Sequence, residues 1–352
     1  MADQSQHILV VHVAGLAQTT LALPALRSLR AHLPQSRITV AASTTAADLI
    51  RLASQNGGCA DEVLTIGRLR HAELLKPTAF YRSTKAVSEL RHTNFDLAIE
   101  FCKNTEGGLV LNFAKPHERL KPSKTANKGL SGLSKMLEQL TETVSQKTPA
   151  LTHLAHEYLK KLEPLGVRPV EAEPHLTTDR EADQRLEKLL SKHNIEFGEL
   201  LVGIHPGAGR IQHRWPVERF VSIGSRLIHN FNARLLVFTG PQERGLAKQI
   251  VAQLPPKRAI AIQSPKLPDL VSAFARLSLL VANHSGPAHV ATAAGAPVVA
   301  ISTFVKHSST DILGSRCELV RASHVAMISE EAVYEAACRL LKTNRAEFLR
   351  QR

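Results

Sequence analysis

The stretch Leu277 to Ala282 runs apolar into Asn283-His284-Ser285-Gly286-Pro287-Ala288-His289, and then into the small residues Val290 to Gly295. The apolar run has the length and character of a buried parallel strand. The small residues behind the turn suit the first turns of a buried helix. A strand that ends in Ser-Gly-Pro and opens a helix leaves backbone N–H groups pointing into a crevice. Together with the positive end of the helix dipole, those groups favour a phosphate or diphosphate. Pro287 fits the first helical turn, where its missing N–H has no partner to lose. An ordinary βα turn would read the same way on this segment alone.

Two further strand ends change the balance. Glu199 to Ile204 is apolar and runs into His205-Pro206-Gly207-Ala208-Gly209-Arg210. Gly207 and Gly209 let backbone approach a ligand, and Arg210 can supply charge to a phosphate. Trp215-Pro216, holding the only tryptophan, opens a helix over Val217 to His229. A third strand, Arg234 to Phe238, ends in Thr239-Gly240-Pro241-Gln242-Glu243 and is followed by another helix. Three such strand ends describe the carboxyl edge of a doubly wound sheet, which is where these sheets bind ligands. Gly207, Ala208, Arg210, Ser285, Gly286 and His289 are therefore expected to converge on one pocket. Glu243 stands either as a partner for the ligand's ribose or base, or as a carboxylate favoured by a helix N-terminus.

The order His-Pro-Gly-Ala, Arg-Trp-Pro, Thr-Gly-Pro-x-Glu and Asn-x-Ser-Gly-Pro-x-His resembles that of glycosyltransferase family 9, the ADP-heptose:lipopolysaccharide heptosyltransferases. The first half is similar too, in the strand Ile8 to Val13, in Leu23-Pro24-Ala25-Leu26-Arg27, and in Phe95-Asp96-Leu97-Ala98-Ile99-Glu100. The resemblance covers most of the chain and is weakest over residues 115–152. It implies an α/β protein of the GT-B type, with two Rossmann-like doubly wound domains facing a central cleft. It further implies a metal-independent inverting transferase without a cofactor, a nucleotide-sugar donor such as ADP-heptose, and a lipopolysaccharide core acceptor. On this reading His213, His284 and Pro287 join the donor-binding residues. A sugar-nucleotide epimerase of similar two-domain build is a weaker reading, because it lacks the Asn-x-Ser-Gly-Pro-x-His spacing.

Composition is compatible with this. A chain of 352 residues has the length for two domains, each with its own core. No apolar run approaches the roughly 18–20 residues needed to span a bilayer, and no signal peptide is evident. The four cysteines, Cys59, Cys102, Cys317 and Cys338, show no Cys-x-x-Cys spacing, which points to reduced thiols, a cytoplasmic setting and no metal site. Aromatic residues at 4% argue against a base-stacking nucleic-acid binder. The net charge of +13 calls for an anionic partner. Arg68, Arg70, Lys76, Arg82 and Lys85 form one basic stretch, and Lys115, Arg119, Lys121, Lys124, Lys128 and Lys135 a second. Taken singly these are solvated loop charges. Taken together they suit an anionic inner-membrane surface or an acidic acceptor, with Lys121, Lys124 and Lys128 facing it. A monomer peripheral to that membrane is the expected form.

Alternating patterns give the organisation. Strands at 8–13, 37–42, 62–66 and 96–101 alternate with helices near 17–32, 45–54 and 82–92. A loop and a helix near 130–145 are expected next. Residues 1–166 form the expected acceptor domain, 167–176 a proline-punctuated linker, and 177–328 the donor domain. The helix at 329–352, opened by Ser329 and two glutamates, is expected to cross back onto the first domain.

The chemistry departs from the family in three places. Where the family resembles itself in a Gly-Asp pair whose aspartate is the proposed general base, this chain has Ala17-Gln18. The acidic position before Ser-Gly-Pro is His284, and the lysine before the tryptophan is His213. Glutamine orients but does not deprotonate an acceptor. His12, at the end of the first strand, and Glu100, at the end of the fourth, are the candidate bases. The alternative is a degenerate relative that binds nucleotide sugar as a scaffold or regulator without turnover.

Overall fold

The computed structural model describes residues 6–55, 58–66, 86, 88–102, 104–120, 153–243, 245–304 and 308–350, with side chains to residue 343. Two wholly parallel sheets carry the fold. The first holds β1 (His7–His12), β2 (Arg37–Ser43), β3 (Glu62–Ile66), β4 (Leu97–Glu100) and β5 (Glu118–Arg119), in the order β3-β2-β1-β4-β5. The second holds β6 (Leu201–His205), β7 (Arg234–Thr239), β8 (Ala259–Gln263), β9 (Leu279–Asn283), β10 (Val298–Ser302) and β11 (Cys317–Arg321). Its order is β11-β10-β9-β6-β7-β8. In each half the first and fourth strands are neighbours and the connections depart to opposite sides. That is the doubly wound arrangement, with its ligand crevice at the switch point between those two strands. The expected two-domain α/β GT-B architecture is the observed one.

The helices named below are α1 (Leu16–His32), α2 (Thr44–Ser54), α3 (Thr105–Ala114), α4 (Leu154–Lys160) and α5 (Arg180–Lys192), then α6 (Val217–Phe231), α7 (Leu246–Ala252), α8 (Leu267–Ala275), α9 (Gly286–Ala293) and α10 (Glu330–Arg350). The short strand β5 lies inside the stretch read from its charges alone, where two residues offer too little pattern to see. The expected helix near 130–145, and Lys121, Lys124 and Lys128, fall outside the described residues.

Helix α1 is apolar on nearly every side, and such a helix must be covered all round. Leu21, Leu23 and Leu26 are fully buried and share one hydrophobic cluster with Ala288 and Val290 of α9. One core therefore runs through both halves instead of stopping at a boundary. Linker residues 167–176 are laid along α1: Arg27 pairs with Glu171 at 2.7 Å, and the Ser28 hydroxyl accepts from the Val170 N–H. The Leu176 N–H then donates to Ala293 O at the end of α9.

The last helix does not make the expected return over its described side chains. Val333, Ala336, Ala337 and Leu341 lie in the second cluster, with Phe220 and Leu227 of α6. Its polar face is claimed by the same half, through Glu331 with Arg226 at 2.9 Å and Arg339 with Glu318 at 2.8 Å. Matching charges and an apolar stripe on α6 outweigh the longer reach. Besides α1 and α9, α4 also touches both halves. Its Leu154 N–H and His153 Nε2 meet Ser309 O and Asp311 O of the second half, while Tyr158 is buried in the first.

Candidate functional site

Both switch points carry the residues singled out in the sequence. In the second half, the turns after β6, β7 and β9 are tied together by side chains. Asn283 is fully buried at the end of β9; its Oδ1 accepts from the Trp215 N–H at 3.0 Å, and its Nδ2 donates to Pro206 O at 2.7 Å. It therefore fixes the β9 turn to the β6 turn. Sequence reading passed over Asn283 as one letter of a motif, although an asparagine closing an apolar strand, which needs several partners once buried, was the available signal. Trp215 anchors the same corner, with its indole N–H on Ile328 O at 3.0 Å.

Glu243 belongs to this frame. Its carboxylate pairs with Arg214 at 2.8 Å and accepts from the Gly240 N–H at 3.1 Å, and Arg214 also donates to Ala208 O. The residue stands ahead of α7, which begins only at Leu246, so the helix-terminus explanation does not hold. The carboxylate bridges two turns. Gly207 is explained by the same contact, since a Cβ there would come within 3.0 Å of the Glu243 carboxyl carbon. Arg210 is exposed beside Gly209, which has open space around it, so this arm of the turn faces the solvent.

The remaining motif residues form a row of rings at the N-terminus of α9. His284 lies edge to face with His289 at 5.4 Å between centroids and with Phe304 at 5.6 Å, and His213 is tilted against Phe304 at 6.2 Å. His213 Nδ1 is 2.7 Å from the Thr303 hydroxyl. Ser285 is the N-cap residue of α9, and Pro287 stands in its first turn. His289 is 2% exposed, and neither of its ring nitrogens has a hydrogen-bond partner; His284 Nε2, Ser285 Oγ and Thr239 Oγ1 are also buried without one. A buried polar atom left unpaired costs about 1–3 kcal/mol. Several of them at one strand edge, beside a helix N-terminus, mark a place built for a polar ligand.

Gly286 also has a steric reason of its own. A Cβ on it would lie 2.9 Å from Leu16 Cβ and 3.5 Å from the Ala17 backbone nitrogen. The N-termini of α1 and α9 thus meet across the two halves, and glycine is there to let them.

In the first half, His12 is 0% exposed. The Thr19 hydroxyl spends its proton on Gly15 O at 2.9 Å, so it can only accept from His12 Nε2–H at 3.1 Å. His12 Nδ1 is then an acceptor for the Cys102 thiol at 3.4 Å, which in turn stands 3.7 Å from the Tyr158 hydroxyl. Burial, reinforced by the nearby charge of Lys161, lowers the His12 pKa to about 3. An imidazole with both nitrogens engaged, no exposure and so weak a basicity is not a general base. That expectation is corrected: His12 holds the start of α1. Gln18 is exposed, and its Oε1 lies 3.5 Å from the Gly15 N–H in the geometry of an N3 residue reaching back to the cap.

Glu100 is half-buried at the end of β4, in register with Val11 of β1. Its carboxylate lies beside the first turn of α3, 3.2 Å from the point a Gly107 Cβ would take. It forms no hydrogen bond or ion pair among the described residues. Asn104 caps α3 and ties it to β1, accepting from the Gly107 N–H at 2.7 Å and donating to Val13 O at 2.8 Å.

Three of these histidines are held neutral by burial. The pKa is about 3 for His12 and His289 and about 4 for His205, with desolvation the largest cause in each. The unfolded chain protonates near 6.5 and the folded one does not. Stability is therefore full above pH 6.5 and is lost as pH falls toward 4. The urea midpoint should decline steadily over that window, and a midpoint flat from pH 7 to 4.5 would contradict the burial of these rings.

The chain matches the family model of glycosyltransferase family 9 (heptosyltransferase) over residues 84–337. It belongs to glycosyltransferase family 9. Solved structures of similar fold include a family 9 glycosyl transferase from Veillonella parvula DSM 2008, at 21% identity and a TM-score of 0.76, covering 97% of this chain and 99% of that one. The E. coli ADP-heptose lps heptosyltransferase II follows at 18% identity and a TM-score of 0.70, covering 96% and 99%. The E. coli heptosyltransferase WaaC with ADP-2-deoxy-2-fluoro heptose stands at 15% and 0.68, covering 95% and 99%. No curated protein matches the sequence. Among the described residues no helix is long and apolar enough to cross a membrane.

Proposed function

We propose that this family 9 glycosyltransferase is an inverting enzyme that takes a heptose from ADP-heptose and places it on the lipopolysaccharide inner core. The observation that carries the donor site is the set of unpartnered buried polar atoms of His289, His284, Ser285 and Thr239 at the second switch point. A diphosphate laid on the N-terminus of α9 meets these groups and the solvent-facing Arg210. The heptosyltransferase WaaC has been solved with ADP and with a fluorinated ADP-heptose, which supports the choice of donor.

In the transfer, the acceptor oxygen bonds to the anomeric carbon as the bond from that carbon to the diphosphate oxygen breaks. The electron pair leaves on the diphosphate. The acceptor's proton goes to Glu100, the carboxylate at the first switch point that forms no hydrogen bond or ion pair among the described residues. Gln18, on the first turn of α1, orients the acceptor. The basic stretch holding Lys121, Lys124 and Lys128, with the net charge of +13, supports a monomer working at the cytoplasmic, anionic face of the inner membrane. A non-catalytic, donor-binding role is the second reading, favoured by the specific loss of the family's aspartate at Gln18.

Calorimetry with ADP-, UDP- and GDP-sugars, followed by a turnover assay with whichever binds, tests both. Binding with turnover supports the transferase. Binding without turnover on any lipopolysaccharide core acceptor supports the second reading, and no binding at all removes the donor site.

A further inference from the structure

We propose that His284 takes up a proton when a nucleoside diphosphate binds, and that the resulting imidazolium holds the diphosphate as it becomes the leaving group. This deepens the donor-site reading above and rests on it.

His284 follows the last residue of β9 and precedes Ser285, the N-cap residue of α9, so its ring stands at the mouth of that helix's positive end. Its Nε2 is buried and has no partner. The backbone of Thr310 faces the same ring as a hydrogen-bonding group. The backbone of His284 itself acts in the same direction, and both favour a proton on the ring; with Nε2 unpartnered, that proton belongs on Nδ1. A neutral ring with its proton on Nδ1 presents a bare lone pair at Nε2. A lone pair repels a phosphate oxygen. The site as built therefore lacks one donor that an anion requires, and a proton supplies it.

A second, independent feature marks the same spot as a ligand site. His289, one helical turn further on, is 2% exposed with both ring nitrogens unpartnered. The two rings have separate roles. Burial, reinforced by His284 and His153 beside it, keeps the His289 pKa at about 3, so the ring stays neutral and offers one N–H. His284 is only half-buried, and burial lowers its pKa in the empty site, with Arg321 acting in the same direction and Asp311 opposing. The neighbours that face it are thus Asp311 and Arg321 from the segment after β10 and from β11, His289 from α9, and Phe304 with His213 across the ring row. A diphosphate brings at least two negative charges to this point and reverses the balance, raising the pKa of the group it touches.

Protonation also serves the reaction. As the sugar–oxygen bond breaks, negative charge grows on the departing phosphate oxygen, and a cation fixed beside it is favoured more in the transition state than before. Atoms balance without another reactant: the proton comes from water and returns to it when the diphosphate leaves.

The experiment is calorimetric titration of the whole protein with ADP, at pH 7.5, in buffers of differing ionisation enthalpy. The pH lies well above the acid loss of stability. It also leaves the terminal phosphate, with a second pKa near 6, mostly ionised. Wild type should take up a substantial fraction of one proton per ADP bound. His284→Gln keeps an N–H donor and cannot become charged. It should abolish that uptake, weaken ADP roughly ten- to a hundredfold, and flatten the pH dependence of affinity. His229→Gln, a change at an exposed histidine in the last turn of α6, should leave the uptake intact. Uptake that survives in His284→Gln, or ADP binding by wild type without uptake, overturns the role of His284 and leaves the donor site standing. Failure to bind ADP, UDP or GDP overturns both.

Discussion

Replacing Glu100 with glutamine should lower turnover by roughly 10²- to 10⁴-fold while leaving donor affinity nearly unchanged. Glutamine keeps the shape and the hydrogen-bonding reach of the side chain and removes only its ability to take the acceptor's proton. The carboxylate sits on the carboxyl edge of β4, in register with β1, where the crevice of the first sheet opens. Donor affinity should survive because the residues proposed to hold the donor belong to the other sheet. His12 supplies the control. At a pKa of about 3 it is neutral throughout the working range, so no rise in rate near pH 6–7 should trace to it. His12→Ala should instead lower stability, since it leaves Thr19 and Cys102 without their buried partner. Gln18→Asp, which restores an acid at the first turn of α1, should raise activity or leave it unharmed. Turnover by Glu100→Gln equal to wild type would show that another group accepts the proton. Activity confined to Gln18→Asp would show that the native chain binds donor without a working base.

Gly286→Val should cost about 1–3 kcal/mol of stability and, with it, measurable nucleotide binding. A Cβ atom there would stand 2.9 Å from Leu16 Cβ, a distance that side chains do not hold, and 3.3 Å from Leu16 Cδ2. The starts of α1 and α9 must separate, and both switch points are disturbed at once. Leu16→Ala does not remove the Cβ that is met first, yet it deletes the next contact, at 3.3 Å to Leu16 Cδ2. The double variant should therefore recover part of the lost stability, and a double-mutant cycle in urea reads the coupling. Strict additivity of the two changes would mean that Gly286 serves the ligand alone and that the helices do not press on one another there.

The doubly wound topology was legible because it rests on local features. Apolar runs of strand length, glycine and proline at their ends, and helices between them recur through both halves, and parallel strands need such crossovers. The ends of β1, β6, β7 and β9 therefore fell within a residue or two of their expected places, as did the segments expected to gather at the second switch point. Charge was less telling. The short β5 lies in a run that composition alone described as basic, and two residues carry no periodicity.

What single residues do there was decided by neighbours distant in sequence. Gly286, Gly207 and Glu243 all looked like ligand contacts, since glycine and carboxylate at a strand end suit one. Gly286 admits Leu16, some 270 positions earlier in the chain, and Gly207 admits Glu243, which is itself paired with Arg214. His12 stood at the right edge with the right ordinary pKa. Burial beneath α1, with Thr19 and Cys102 on its two nitrogens, turned it into a strut. The last helix likewise had a sound start in Ser329 and its glutamates, but nothing in its own residues could say which half offered the complementary charges of Arg226 and Glu318. Backbone pattern is written locally, because strands and turns are stabilised by residues a few positions apart. Solvation, pairing and close approach depend on what the fold brings alongside, and only the tertiary structure supplies that.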